Sequence, residues 1–185
     1  MALETGKAGR TELHRVFFAL WPDAACSGQL AALALDAQRH CGGRALRGAN
    51  LHMTLAFVGN VTGAGIERLR AIAAGLDVCA FELELDRLQW LRRRRIVWVA
   101  CQVTPEPLQR LATALHGGLR AAAFALDTRP FAAHVTLLRN AGCDKDLPAA
   151  PAIRWRVDAF VLVESQLARE GASYRIIGRW PLRTQ

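Results

Sequence analysis

At 185 residues and 20.3 kDa, with 52% hydrophobic residues, the chain is long enough for one compact domain or two small lobes sharing a core. Its apolar runs are strand-sized and broken by charge, which excludes a spanning helix of roughly 20 apolar residues. Twenty-four Lys plus Arg against 16 Asp plus Glu leave a net charge of +8, and only Lys7 and Lys145 are lysines; this arginine surplus either suits polyanions such as RNA, through two-pronged phosphate contacts, or reflects composition alone.

Residues 1–12 carry Glu4, Lys7 and Arg10 among small residues and no apolar stretch, so a flexible tail is expected and not a secretory signal, in a cytoplasmic protein whose single domain covers 13–185. A β-prone run at 15–20 stops at Trp21-Pro22-Asp23, where Asp23 can cap a helix over 24–39 that buries Leu30, Leu33, Ala34 and Ala37. Residues 44–50 read as loop and 51–58 as a strand closed by Gly59-Asn60. A helix over 65–76 puts Ile66, Leu69, Ile72 and Ala73 on one face. Residues 81–86, Phe-Glu-Leu-Glu-Leu-Asp, alternate with the period of a half-wet strand. A hairpin is expected here, 81–91 against a buried strand at 96–103, with an arginine turn at 92–95. Thr104-Pro105-Glu106-Pro107 then offers a capping threonine, a proline and a first-turn acid to a helix reaching about 122, with Leu108, Leu111, Leu115 and Leu119 as its stripe. Strands follow at 131–138, 154–163 and 174–180, and 144–151 is linker-like. Hairpin pairing makes the class α+β, not a doubly wound parallel sheet.

The five cysteines, Cys26, Cys41, Cys79, Cys101 and Cys143, are odd in number and widely spaced, without a C-x-x-C pair. Free, mostly buried thiols are expected, in keeping with a reducing compartment. Cys101, inside an apolar run, reads as a small core residue.

One short pattern occurs twice. Leu51-His52-Met53-Thr54-Leu55 and Ala133-His134-Val135-Thr136-Leu137 share His, apolar, Thr, Leu, with histidines 134 − 52 = 82 residues apart. Because side chains alternate across a strand, His52 and Thr54 share one face while Met53 and Leu55 point the other way, and the same holds for His134 and Thr136. Displacement at phosphorus is in line, so one proton leaves the attacking group as another reaches the leaving oxygen. Two imidazoles with ordinary pKa values near 6.5 can divide these tasks near neutral pH, and two threonine hydroxyls can hold the non-bridging oxygens. Neither a metal nor a cofactor is needed. Either motif alone would read as a partly buried strand histidine; two matching copies favour chemistry. A zinc site would want a third His, Cys or carboxylate at useful spacing, and none accompanies either motif. His14, His40 and His116 have no such company and read as surface or helix-end residues.

With these motifs, an N-terminal strand at 15–20, Phe57-Val58-Gly59, the run 131–139, Leu162-Val163-Glu164-Ser165 and Tyr174, the chain resembles the two-histidine (2H) phosphoesterase superfamily from about residue 13 to 182. The likeness is to its bacterial RNA 2',3'-cyclic phosphodiesterases, also called 2'-5' RNA ligases. Met53 stands where Leu or Ile is more usual, a conservative packing change. The resemblance implies a bilobal α+β fold: two antiparallel β-sheets related by pseudo-twofold symmetry, helices outside, and both motifs facing a central cleft. It implies hydrolysis of RNA 2',3'-cyclic phosphate ends, or cyclic nucleotides, to a 2'-phosphate, with His52 giving a proton to the 3' oxygen and His134 activating water. Arg139 matches a family arginine that contacts the phosphate, and Phe17 or Phe18 could stack on the terminal base. Neither a membrane nor an obligate protein partner is implied, and a monomer is expected. Reversible 2'-5' joining at the same site is one alternative. A non-catalytic module that binds RNA ends is another, against which the intact His52, Thr54, His134 and Thr136 argue. The run Arg92-Arg93-Arg94-Arg95 is either a guide for RNA or a solvated hairpin tip.

Overall fold

The computed structural model describes residues 12–184 apart from 128, 144–146, 148 and 169–170. The expected tail, but for Glu12, and half of the linker-like stretch 144–151 therefore lie outside the described residues.

Strand β1 (His14–Leu20) runs into Asp23, whose carboxylate accepts from the Cys26 amide at 2.7 Å and opens helix α1 (Ala24–Cys41). The expected inward residues Leu30, Leu33, Ala34 and Ala37 are all buried. Residues 44–50 are more ordered than a loop: strand β2 (Arg44–Ala45) and a 3-10 turn (Gly48–Asn50) precede β3 (Met53–Val61). Thr62 accepts from the Gly65 amide and starts α2 (Gly63–Ala74). Then come β4 (Phe81–Leu85), β5 (Arg87–Leu91), an arginine 3-10 turn (Arg92–Arg94), β6 (Ile96–Ala100) and α3 (Glu106–Ala121). Strands β7 (His134–Arg139), β8 (Ile153–Val157), β9 (Ala159–Ala168) and β10 (Gly171–Pro181) complete the fold.

Several local expectations need correction. Residue 81–91 is not one hairpin arm: β5 alone pairs with β6, while β4 leaves to form a two-stranded sheet with β8. The alternating run 154–163 likewise breaks at Asp158, so that β8 and β9 belong to different sheets. Alternation specifies a half-buried strand but not its partner. Pro105, not Thr104, occupies the N-cap of α3, which has no side-chain cap; burial of Leu108, Leu111, Leu115 and Leu119 holds this helix instead.

The main sheet has the order β10-β9-β1-β3-β7-β6-β5, with β2 also on β7. Its halves meet at one register pair, Met53 against Val135, the residues following the two histidines. An offset of 82 residues relates these halves. It carries the start of β1 to that of β6 (96 − 14), the start of α1 to that of α3 (106 − 24), and His52 to His134. The expected pseudo-twofold axis thus runs through the Met53–Val135 pair. Both residues are fully buried, with Leu55 and Leu137, against helices that cross over: α1 lies against β7, and α3 against β3.

The thiol expectation fails for one pair: Cys41, ending α1, and Cys143, four residues beyond β7, form a disulfide. Their separation of 102 residues gives the sequence no local sign of it. Cys26 and Cys101 are free thiols, pushed up by burial to about 12 and about 11, and so stay protonated and inert.

Candidate active site

The seam between the half-sheets builds the site. Continuing the Met53–Val135 register by one residue either way sets His52 against Thr136 and Thr54 against His134. All four side chains line a single cleft of about 420 Å³ with Arg15, Phe17, Leu46, Asn50, Phe57, Arg139, Ser165 and Tyr174.

Plain alternation would carry Ala56 and Leu138 to the cleft face next. Two bulges change that. Phe18 pairs with Ala56 and Ala19 with Thr54, leaving Leu55 as an extra residue in β3; Val97 pairs with Leu138 and Trp98 with Thr136, leaving Leu137 as an extra residue in β7. Each bulge falls three residues beyond its histidine and turns the residue five beyond it, Phe57 or Arg139, into the cleft. Strand β2 supports the Arg139 end. Gly43, at φ 79°, lies so near that an added Cβ would sit 2.7 Å from the Arg139 carbonyl oxygen.

The two imidazoles are held alike. His52 Nδ1 donates to the Asn50 carbonyl and His134 Nδ1 to the Ala132 carbonyl, each at 2.8 Å. A carbonyl oxygen only accepts, so both Nδ1 atoms carry hydrogen, and each Nε2 is the nitrogen left to take or give a proton. Their surroundings differ. Trp21 stacks on His52 at 5.3 Å between centroids, while Phe17 and Tyr174 contact it at 4.9 and 5.1 Å; His134 meets Trp98 at 4.0 Å. Burial in this aromatic cage drives the His52 pKa down to about 4; the bond to the Asn50 carbonyl opposes this and the Arg139 guanidinium adds to it. Burial, then the charge of Arg94, lowers His134 as well. Both are therefore neutral in the free protein at neutral pH.

Of the residues singled out from sequence, His52, Thr54, His134, Thr136 and Arg139 come together. Phe17 lines the cleft but is spent on His52, at 4% exposure, and Phe18 is fully buried against Phe160 and Trp180 on the other face. Neither ring is open to a base, which corrects that expectation. His14 and His116 are not companionless. His14 Nδ1 lies 2.6 Å from the buried Glu164 carboxylate, which also accepts from Arg175, and His116 Nε2 donates to the Leu55 carbonyl at the β3 bulge. His40 is a helix-end residue, bonded to the Asp36 carbonyl. Arg15, Trp21, Phe57 and Trp98 were missed as site residues. The bulges and strand pairings that deliver them leave no mark in the pattern of apolar residues.

A second groove of about 540 Å³ shares Thr54, Phe57, His134, Thr136 and Arg139 with the cleft and continues past Trp98, Arg94 and Phe131. Of the run Arg92–Arg95, Arg94 reaches this groove, whereas Arg92 lies over Trp90 and Arg95 bonds the Asn140 carbonyl. No group of three or more His, Cys, Asp or Glu among the described residues could hold a metal ion. No helix among them is long and apolar enough to cross a membrane.

Residues 21–169 match the family model of the 2'-5' RNA ligase superfamily. The RNA 2',3'-cyclic phosphodiesterase of Escherichia coli (strain K12) is 36% identical over 143 residues, 76% of this chain and 80% of that protein. A crystal structure of E. coli LigT complexed with 3'-AMP superposes with a TM-score of 0.85 at 30% identity, covering 92% of this chain and 99% of that one. A protein of Thermus thermophilus, TT0787, shares the fold at a TM-score of 0.75 and 22% identity, over 92% of this chain and 99% of its own.

Proposed function

The chain belongs to the 2'-5' RNA ligase superfamily, and from that premise we propose that it is an RNA 2',3'-cyclic phosphodiesterase in which His52 and His134 form the acid–base pair. The observation that carries this reading is the matched tethering of both Nδ1 atoms, which turns two Nε2 atoms toward one cleft holding two threonine hydroxyls and a guanidinium.

In this reading the cyclic phosphate sits between the histidines, with Thr54 and Thr136 donating to its non-bridging oxygens and Arg139 balancing its charge. One imidazole takes a proton from water as the other gives one to the departing 3' oxygen, leaving a 2'-phosphate. The resemblance gives His52 the donor role and His134 the base. Burial runs against a donor at His52 in the free protein, so its proton must arrive with the substrate. A phosphate monoanion at ~4 Å attracts a cation by about 4 kcal/mol at an effective dielectric of about 20, enough to offset that burial. Binding of the anion thus charges the acid.

The second groove favours one further activity of the same site. It opens from the His134 side and has room for an RNA end whose 5'-hydroxyl takes the place of water, which is 2'-5' joining. A purely binding role leaves the two tethered imidazoles without a task. We take it to act as a monomer within a single bilobal domain; the RNA substrate supports a cytoplasmic location, while the Cys41–Cys143 disulfide removes the free-thiol argument for one.

The test is an RNA oligonucleotide ending in 2',3'-cyclic phosphate, incubated in EDTA with the protein, His52→Ala and His134→Ala, and resolved for 2'- and 3'-phosphate products. A 2'-phosphate from the unsubstituted protein is expected, with each variant about two to four decades slower in kcat. Dependence on added metal, or a variant with near-normal turnover, would refute the mechanism.

A further inference from the structure

The two bulges of the cleft correspond at the 82-residue offset, Leu55 in β3 and Leu137 in β7, but they are held by different means. A bulged residue is left out of the strand ladder, so its carbonyl needs a donor from elsewhere. In the β7 half that donor is backbone: the Leu46 amide, one residue past β2, bonds the Leu137 carbonyl at 2.9 Å. The β3 half has no such strand. The stretch that matches β2 at this offset, 126–127, is coil.

His116 takes the place of that amide. It stands on α3, which lies against β3, and its Nε2 donates to the Leu55 carbonyl at 2.9 Å. The residue matching it on α1 is Ala34 (116 − 82), whose methyl group can donate nothing. Backbone support in one half is thus exchanged for an imidazole in the other. Leu55 is 2% exposed, so loss of this donor leaves a buried acceptor unpaired. Thr54 comes immediately before the bulge. It pairs with Ala19, and Ala56 with Phe18, so the Leu55 carbonyl belongs to the backbone that sets the direction of the Thr54 side chain in the cleft. A hydroxyl that donates to charge developing on a phosphate must be placed to within about 0.5 Å.

We propose that His116 is a positioning residue for the reaction: by pinning the Leu55 bulge through its Nε2 hydrogen, it aims the Thr54 hydroxyl at the phosphate. Resting on the phosphodiesterase reading, it adds to the cleft a part contributed by a helix behind the sheet. His116 acts through Thr54 and is not a third acid or base. The strand that carries His52 is therefore the one whose alignment hangs on a side chain, and a single substitution can loosen it.

The experiment is a double-mutant cycle. His116→Phe keeps a ring but cannot donate, and His116→Gln keeps an N–H donor; each is made alone and with Thr54→Ala, and kcat for adenosine 2',3'-cyclic phosphate is referred to the folded fraction read by circular dichroism. His116→Phe should lower kcat about tenfold with KM little changed, His116→Gln should recover most of the loss, and in the Thr54→Ala background His116→Phe should cost almost nothing further. An equal loss in both backgrounds, an undiminished kcat in His116→Phe, or a glutamine variant no better than phenylalanine overturns the proposal. The same cycle is read in the Kd for inorganic phosphate, which needs no turnover. Should the unsubstituted protein hydrolyse nothing, the phosphodiesterase reading falls, and phosphate binding decides for His116: weakening by His116→Phe that vanishes in the Thr54→Ala background upholds the positioning role, and equal weakening in both, or none, overturns it.

Discussion

Acid should unfold this protein partly through His52. In an unfolded chain this histidine takes a proton near pH 6.5; in the folded cleft, burial delays that to about 4. Between these values the unfolded state binds more protons, so stability is full above pH 6.5 and falls as pH falls toward 4. At 1.36 kcal/mol per pH unit, an interval of about 2.5 units corresponds to a loss of about 3 kcal/mol, a large share of a small domain's stability. His134 adds a loss of the same sign. The assay is urea unfolding at steps from pH 7.5 to 4.5, comparing the protein with His52→Gln, which cannot titrate. Carboxylates contribute to both curves and drop out of their difference. That difference should grow steadily below pH 6.5 and shrink when inorganic phosphate is added, since an anion between the histidines favours their charged forms. A difference that stays flat down to pH 4.5 would show that His52 is not held neutral, and the account of its aromatic cage would be wrong.

Other consequences are open to direct measurement. If His52 is the acid, a cyclic phosphorothiolate with sulfur in place of the 3' oxygen, a leaving group needing no proton, should restore turnover to His52→Ala far more than to His134→Ala; equal rescue would remove the assignment of roles. Arg139→Ala should weaken kcat/KM by about 1.5–3 kcal/mol, the range for hydrogen bonds to charged groups, and Arg139→Lys should recover only part of it because the planar fork is lost. A kinetic series showing full recovery by lysine would reduce Arg139 to a point charge. Reduction with dithiothreitol, or Cys41→Ser, should lower stability by about 2–4 kcal/mol because the Cys41–Cys143 link closes a loop of about 100 residues in the unfolded chain; unchanged urea midpoints on reduction would argue that the two sulfurs are not joined in solution.

The grouping of the two motifs in one cleft was legible because it depends on alternation within each strand. His52 with Thr54, and His134 with Thr136, must share a face whatever the strands later pair with. The helices were legible for a similar reason: the Asp23 cap and the leucines of α3 are local signals. What stayed hidden depends on distant parts of the chain. The bulges at Leu55 and Leu137 exist only by comparison with β1 and β6, so the sequence shows Phe57 and Arg139 without showing that both enter the cleft. Burial of Phe17 and Phe18 follows from β9, β10 and the cage around His52, more than 100 residues away in the case of Tyr174. The partner of β4 and the disulfide were hidden in the same way.

The position of β1 in the sheet has a consequence for biosynthesis. It pairs on one side with β3 and on the other with β9, and β9 in turn with β10, so the half of the sheet holding His52 is assembled from the two ends of the chain. A ribosome has delivered both histidines once residue 134 is made, yet Tyr174 and the strands that wall in His52 are still to come. The half holding His134, with β5, β6 and β7, is contiguous and can form early. A nascent or truncated chain therefore carries both cleft histidines without the enclosure around His52, and on the proposed mechanism competence for chemistry waits for the final hairpin.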